Sequence, residues 1–298
     1  MAPTQPNQKL PRLLKATSLR CFPETISTKD CLREAKKAGY KGIEVNFDGR
    51  FDLFCPAPVL QELKQMASDY GMCIVSVYSR QQWKTPISSR DFSRRSKGME
   101  AIQWLIEVGA FLEAPTVLTI PGAVDNSILS PEVEVLPYEE VYSRVQEGLT
   151  QLAPLAEQAG IILALENVPN KFLLSPLEFK RFLEEIKSPA IGCHFDIANC
   201  LYSGGYPEQW IRLLGTHIKA IHVKDYKISV GTLAGFCDIF EGDVPWKEVC
   251  TSLREIGYTG ALISEVLPPY KYHPEVLWKS AAIALECLRK EILNENYS

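Results

Sequence analysis

The sequence predicts an α/β protein built as a single (β/α)8 TIM barrel. Three observations lead there: eight short β-branched or apolar runs, amphipathic helical stretches between them, and no glycine-rich nucleotide fingerprint after the first run. Strand–helix alternation means parallel strands with crossover helices. Eight such units without GxGxxG or GxxxxGK(S/T) favour a closed barrel over an open doubly wound sheet. The 298 residues, 46% of them apolar, supply one large core, and barrels of this class run to about 250 residues as one unit. Residues 1–12 carry three prolines and no apolar run. They read as a flexible lead-in, neither signal peptide nor helix, and residues 13–298 as the barrel.

Taken in order, the first strand is read in "LLKATSLRCF", with the helix "TKDCLREAKKAG" after it. "GIEVNF" and the helix "APVLQELKQMASDYG" follow, then the strands "MCIVSVYS" and "TVLTIPG". The helix "YEEVYSRVQEGLTQLAPLAEQAG" leads to "IILALENV", and "LEFKRFLEEIKS" to "AIGCHFDI". "IKAIHVKD", the helix "PWKEVCTSLREIG" and "ALISEVLP" complete the set. Helices ending at Gly39, Gly71, Gly160 and Gly257 have the stop expected of a left-handed C-terminal cap. The longest insertions follow strands 3, 4 and 7, on the end of a barrel where enzymes carry their sites.

Composition excludes several classes. A net charge of −4 and a pI near 5.7 argue against a nucleic-acid backbone as partner. No apolar run reaches the ~20 residues needed to span a bilayer. Nine cysteines without a CxxC pair, six of them (Cys21, Cys31, Cys73, Cys193, Cys250, Cys287) inside apolar segments, fit reduced thiols in a cytoplasmic protein.

The charges that interrupt the later strands are the functional signal. Glu166 ends strand 5, Asp196 strand 6, His222 strand 7 and Glu265 strand 8. A carboxylate at a partly dry strand end is costly unless paired or metal-bound. Any one of the four alone reads as a solvated loop residue or a hydrogen-bonded core histidine; the set on four consecutive strands points to one divalent cation. Three oxygens and one imidazole nitrogen suit Mn²⁺ first, then Mg²⁺ or Co²⁺, with Zn²⁺ allowed by the imidazole. His194, two residues before Asp196, falls one layer deeper; His217 precedes strand 7 at the opposite end, and His273 has no assigned role.

The motifs "ALEN", "HFDIAN", "HVKDY" and "ISEV", in this order on strands 5 to 8, together with "GYKGIEV" at strand 2, resemble the xylose isomerase-like barrel superfamily, in its sugar phosphate isomerase/epimerase branch. The resemblance runs over nearly the whole chain. It implies Glu166, Asp196, His222 and Glu265 as metal ligands, with Glu166 and Glu265 also the catalytic acid–base pair. The implied activity is isomerisation or epimerisation of a ketose or sugar phosphate through a metal-bound cis-enediolate. It further implies pairing into a homodimer or homotetramer. Two departures are visible: Asn199 stands where epimerases of free ketoses carry a histidine, and Lys224 and Lys227 lie where an arginine is often found.

For the sugar, Glu44 and Asn46 share one face of strand 2 and are expected to bind hydroxyls, with Asn199 as a further contact. Trp83 would cover a sugar face, and Lys224 would offset the formal −1 charge of three carboxylates and a dication. Arg80 and Lys227 are candidates to meet a phosphate. A metal-dependent dehydratase of a polyol or keto-sugar would use the same four ligands and is the alternative. A DNA-repair endonuclease on this fold needs more metal ligands and a basic face, and four histidines with a negative net charge argue against it. A non-catalytic sugar-binding barrel is the remaining rival, since fold alone does not give function.

Overall fold

The computed structural model describes residues 12–125, 127 and 134–295. Eight strands close into one parallel barrel: β1 (Lys15–Ser18), β2 (Gly42–Asn46), β3 (Cys73–Tyr78), β4 (Thr116–Thr119), β5 (Ile162–Glu166), β6 (Ile191–Asp196), β7 (Ile218–Val223) and β8 (Leu262–Ser264), with β8 pairing both β7 and β1. A principal helix follows each strand: α1 (Thr28–Ala38), α2 (Ala57–Asp69), α3 (Phe92–Phe111), α4 (Tyr138–Ala159), α5 (Pro176–Ile186), α6 (Pro207–Leu214), α7 (Trp246–Glu255) and α8 (Glu275–Leu293). The fold class read from the sequence is therefore the observed one. The proposed lead-in lies outside the described residues except for Arg12.

Local chemistry accounts for the boundaries. Ser27 and Ser175 cap α1 and α5 by accepting the backbone N–H of Asp30 and Glu178. Gly39 and Gly160 end α1 and α4 at φ of 90° and 67°, a conformation that costs a side-chain-bearing residue more. Among the described residues no helix is long and apolar enough to cross a membrane.

Period-two alternation gives each strand an outer face packed on the helices and an inner face filling the barrel. At the N-terminal end the inner face is apolar: Leu14, Ala16, Val75, Ala220, Ala261 and Ile263 form a separate buried cluster. Gly42 belongs to that layer, since a Cβ there would lie 2.5 Å from Leu14 Cδ2 and 2.7 Å from Val75 Cγ1. Two residues further along each strand the filling turns polar, with Glu44, His194, His222 and Glu265.

Two local features at the C-terminal end go beyond the alternation in the sequence. A short helix, Ile197–Tyr202, starts directly after β6, with Asp196 as its N-cap. After β7, Asp225–Tyr226 pairs antiparallel with Phe236–Cys237. Asp225 fastens that loop: its carboxylate accepts the backbone N–H groups of Tyr226, Phe240 and Val244 and the Trp246 indole N–H. Gly242 makes room for it, because a Cβ there would lie 2.2 Å from Asp225 Oδ1.

Candidate metal centre and active site

Glu166, Asp196, His222 and Glu265 converge at the C-terminal mouth, all buried, each offering a ligand atom within 4.8 Å of the others. Backbone register explains how. Asp196 and His222 are direct cross-strand partners, whereas Glu166 pairs with His194, so barrel stagger brings its longer side chain to the same point. His222 Nδ1 lies 3.0 Å from Glu166 Oε1, 3.5 Å from Glu265 Oε2 and 3.7 Å from Asp196 Oδ2. Its Nε2 faces both oxygens of Glu44 at 3.2 Å.

A carboxylate only accepts, so Glu44 fixes the Nε2–H tautomer and aims the Nδ1 lone pair at the other three carboxylates. Four acceptors then face one another, and they need a proton or a cation between them. That donor set fits a divalent ion, and Glu44 takes the place of the carboxylate that commonly orients a metal-ligating histidine. Electrostatics agree. Burial raises the Glu166 carboxyl to about 7, against the opposing pull of His222. Burial would lower the His222 imidazole, but Glu44 and Glu265 hold it well above its ordinary value, which makes a proton on Nδ1 the alternative to a cation between the four acceptors.

Two cations brace the carboxylates. Lys224 Nζ sits 2.7 Å from Asp196 Oδ2 and 2.8 Å from Glu265 Oε2. Arg20 Nη1 sits 2.7 Å from Glu265 Oε1. Burial works against ionised Glu265, yet Lys224, His222 and Arg20 keep it well below the usual carboxylate range. Asn167 joins the ends of β5 and β6: its side chain accepts the Asp196 N–H and donates to the Asp196 carbonyl.

Above the ligands lies a cavity of about 540 Å³. Glu166, Glu265, Lys224, Asn199 and Arg20 give it a polar wall, and Trp83, Tyr78, Leu118, Ile120 and Phe236 an apolar one. Of the residues expected at a sugar, Trp83, Asn199 and Lys224 therefore line this cavity, as does Arg80. Asn199 spends its side-chain N–H on the Asn167 carbonyl, and Lys224 is tied to the carboxylates.

Glu44 does not line the cavity: it is fully buried behind His222, because the inner face of β2 turns it into the barrel rather than to the mouth. Asn46 borders a neighbouring chamber instead, its amide N–H on the Asp48 carbonyl. Lys227 points to Glu241 at 3.8 Å, away from both spaces. His194 is buried one layer below, its ring 4.1 Å from that of His222. His217 lies 3.6 Å from Glu184 and His273 3.1 Å from Glu275, both outside the site.

Sequence reasoning gave Arg20, Asn167 and Asp225 no role. Arg20 had a signal: Leu14, Ala16, Ser18 and Arg20 keep a period of two, so the inward face of β1 continues one step past its last paired residue.

Residues 32–289 match the family described as the xylose isomerase-like TIM barrel, and the chain belongs to that family. A fructoselysine 3-epimerase from Shigella flexneri is 23% identical, the match covering 93% of this chain and 99% of that protein. An inosose dehydratase from Geobacillus thermodenitrificans is also 23% identical, over 83% of this chain and 86% of that protein. Among solved structures, a D-psicose 3-epimerase from Clostridium cellulolyticum H10 superposes with a TM-score of 0.77 at 16% identity, covering 94% of this chain and 99% of that one.

Proposed function

We propose that the chain is a divalent-metal-dependent sugar isomerase, acting as an epimerase on a ketose or sugar phosphate. The observation that carries this is the pair Glu166 and Glu265: both belong to the four-residue metal set and both face the cavity. Likeness to a sugar 3-epimerase over nearly its full length supports the reaction class. A divalent ion held by Glu166, Asp196, His222 and Glu265, Mn²⁺ being the best match to the oxygen-rich set, would supply Lewis-acid polarisation of the ketose carbonyl.

The chain's own residues supply the rest. Glu166 keeps Oε2 free of protein partners among the described residues and lies on the cavity wall, available to take a proton from carbon. Glu265 approaches from three strands away around the barrel and would return a proton to the opposite face, which inverts the centre. Arg20 and Lys224 hold Glu265 in place and offset the negative charge that develops on the substrate oxygens. Trp83, Leu118, Ile120 and Phe236 shield the sugar's C–H face from water. Nine cysteines, none in a disulfide, suit the reducing cytoplasm as the place of action.

The test is deuterium wash-in. Mn²⁺-loaded protein in D₂O with a panel of ketoses and ketose phosphates should place deuterium on the carbon next to the carbonyl, and Glu265→Gln should lower it by about 10²–10⁴-fold. Elimination of water without wash-in would favour the dehydratase reading, which the inosose dehydratase likeness keeps as the second. Protein that binds no divalent ion would overturn both.

A further inference from the structure

Beside the active-site cavity lies a second chamber of about 610 Å³, and the two share Arg20, Arg80 and Leu267 as a common wall. In a chain of net charge −4 this chamber is basic: Arg20, Arg50, Arg80 and Lys271 line it against the single carboxylate of Glu24. The four cations differ in what they have left to give. Arg50 is committed, its guanidinium donating to the carbonyls of Leu19, Phe22, Pro23 and Ile26 and so building the wall.

Arg20 uses Nη1 on Glu265 and leaves Nη2 and Nε without a protein partner among the described residues. The Arg80 guanidinium has Asp48 at 3.7 Å, beyond hydrogen-bond length. Lys271 is exposed and pairs with no described residue. Asn46 Oδ1 is buried without a hydrogen-bond partner on the same wall, an acceptor suited to a hydroxyl.

The first cavity is already large enough for a small sugar, so a free ketose would leave Lys271 and the remaining N–H groups of Arg20 and Arg80 facing only water. Resting on the isomerase reading above, we propose that the second chamber binds an anionic group, phosphate or carboxylate, at the end of the substrate remote from the reacting carbons. Arg80 and Lys271 grip the anion, while Arg20 spans the passage between that end and Glu265. Planar guanidinium groups suit an oxyanion because their paired N–H groups match its oxygens. The substrate class is then an extended, acid-bearing ketose rather than a free ketohexose.

Matched substrates test this on the Mn²⁺-loaded protein. A free ketose, its terminal phosphate ester and an N-linked ketosyl amino acid are compared by deuterium wash-in, the last two arms separating phosphate from carboxylate. At least one acid-bearing substrate should exceed the free ketose in kcat/KM by 100-fold or more. Arg80→Ala and Lys271→Ala, checked for folding by circular dichroism, should each cut that preference at least tenfold, chiefly through KM.

Calorimetric titration with inorganic phosphate should show weaker binding in both variants. Equal kcat/KM for free and acid-bearing substrates, or phosphate binding that neither substitution weakens, overturns the proposal. If no sugar exchanges deuterium but both substitutions still weaken phosphate binding, the anion chamber stands and the isomerase reading fails.

Discussion

The two ends of the barrel interior are made by the same strands and filled by opposite chemistry. At the N-terminal end, Leu14, Ala16, Val75, Ala220, Ala261 and Ile263 exclude water and contain no polar side chain. One step of the period-two repeat further, Ala220 gives way to His222 and Ile263 to Glu265. Buried carboxylates and cations crowd there at hydrogen-bond distance. Burying apolar area stabilises a fold by about 25 cal/mol per Å², whereas desolvating charges costs several kcal/mol per ion unless partners return it. The lower end holds the barrel closed, and the upper end uses that rigidity to keep like charges together where the proposed ion and substrate would bind.

If that division is right, substitutions at the two ends should fail in different assays. The largest expected effect is at the mouth: Glu265→Gln or Glu166→Gln should lower deuterium exchange by about 10²–10⁴-fold, the range for losing a positioned acid–base group. Glu166→Gln should change the melting temperature little beside that loss, whereas Glu265→Gln, which leaves Arg20 and Lys224 short of a partner, should also lower it by a few degrees. A melt that collapses with activity would show that the carboxylates serve folding. At the other end, Ile263→Ala should cost about 2–5 kcal/mol in denaturant unfolding through lost burial and a cavity. Ile263 is the cross-strand partner of His222, so Mn²⁺ affinity, read by calorimetry, tests the division at its closest point: independent layers should keep it within about threefold. A large affinity loss would mean that the two layers are coupled.

Glu44→Gln sharpens the boundary, because Glu44 is fully buried yet acts through His222. Weakening the acceptor behind a ligating histidine typically costs 10–100-fold in metal affinity. We expect Mn²⁺ binding to weaken by about tenfold at that range's lower end, with proton exchange restored at saturating ion. Unaltered affinity would place Glu44 among purely structural residues.

How legible each end is follows from the range of its interactions. Strands and helix stops were readable because alternation and capping are local, and the four converging residues were readable because each lies at or next to a strand end. What escaped depends on contacts across the barrel. Glu44 and His222 are 178 positions apart and sit on strands that are not neighbours, so nothing near Glu44 shows that it faces a histidine rather than a sugar. Arg20 reaches Glu265 across 245 positions from a 3₁₀ turn that only prolongs the inward face of β1. Asp225 stands in a motif whose spacing suggested chemistry, but its four partners belong to the loop that follows.

The smallest expected effect concerns charge on the outside of the N-terminal half, where Glu286 of α8 accepts Lys15 at 2.8 Å and Arg289 at 2.9 Å. Hydrogen bonding to Arg289 leads the causes that lower its carboxyl from 4.5 to about 2, with Lys15 adding to it. A carboxylate depressed on folding binds fewer protons in the native state than in the unfolded one. Its stabilisation is therefore complete above the unfolded value near 4.5 and disappears as pH falls toward 2. The side chain is one-third exposed, so solvent screening limits the gain to about 0–1 kcal/mol. Glu286→Gln should accordingly lower the melting temperature slightly at pH 7 and not at all near pH 2. The Ile263→Ala deficit removes no titrating group and should be the same at every pH at which the protein folds. A Glu286→Gln deficit equally independent of pH would assign the contact to packing of α8 on the barrel instead of charge.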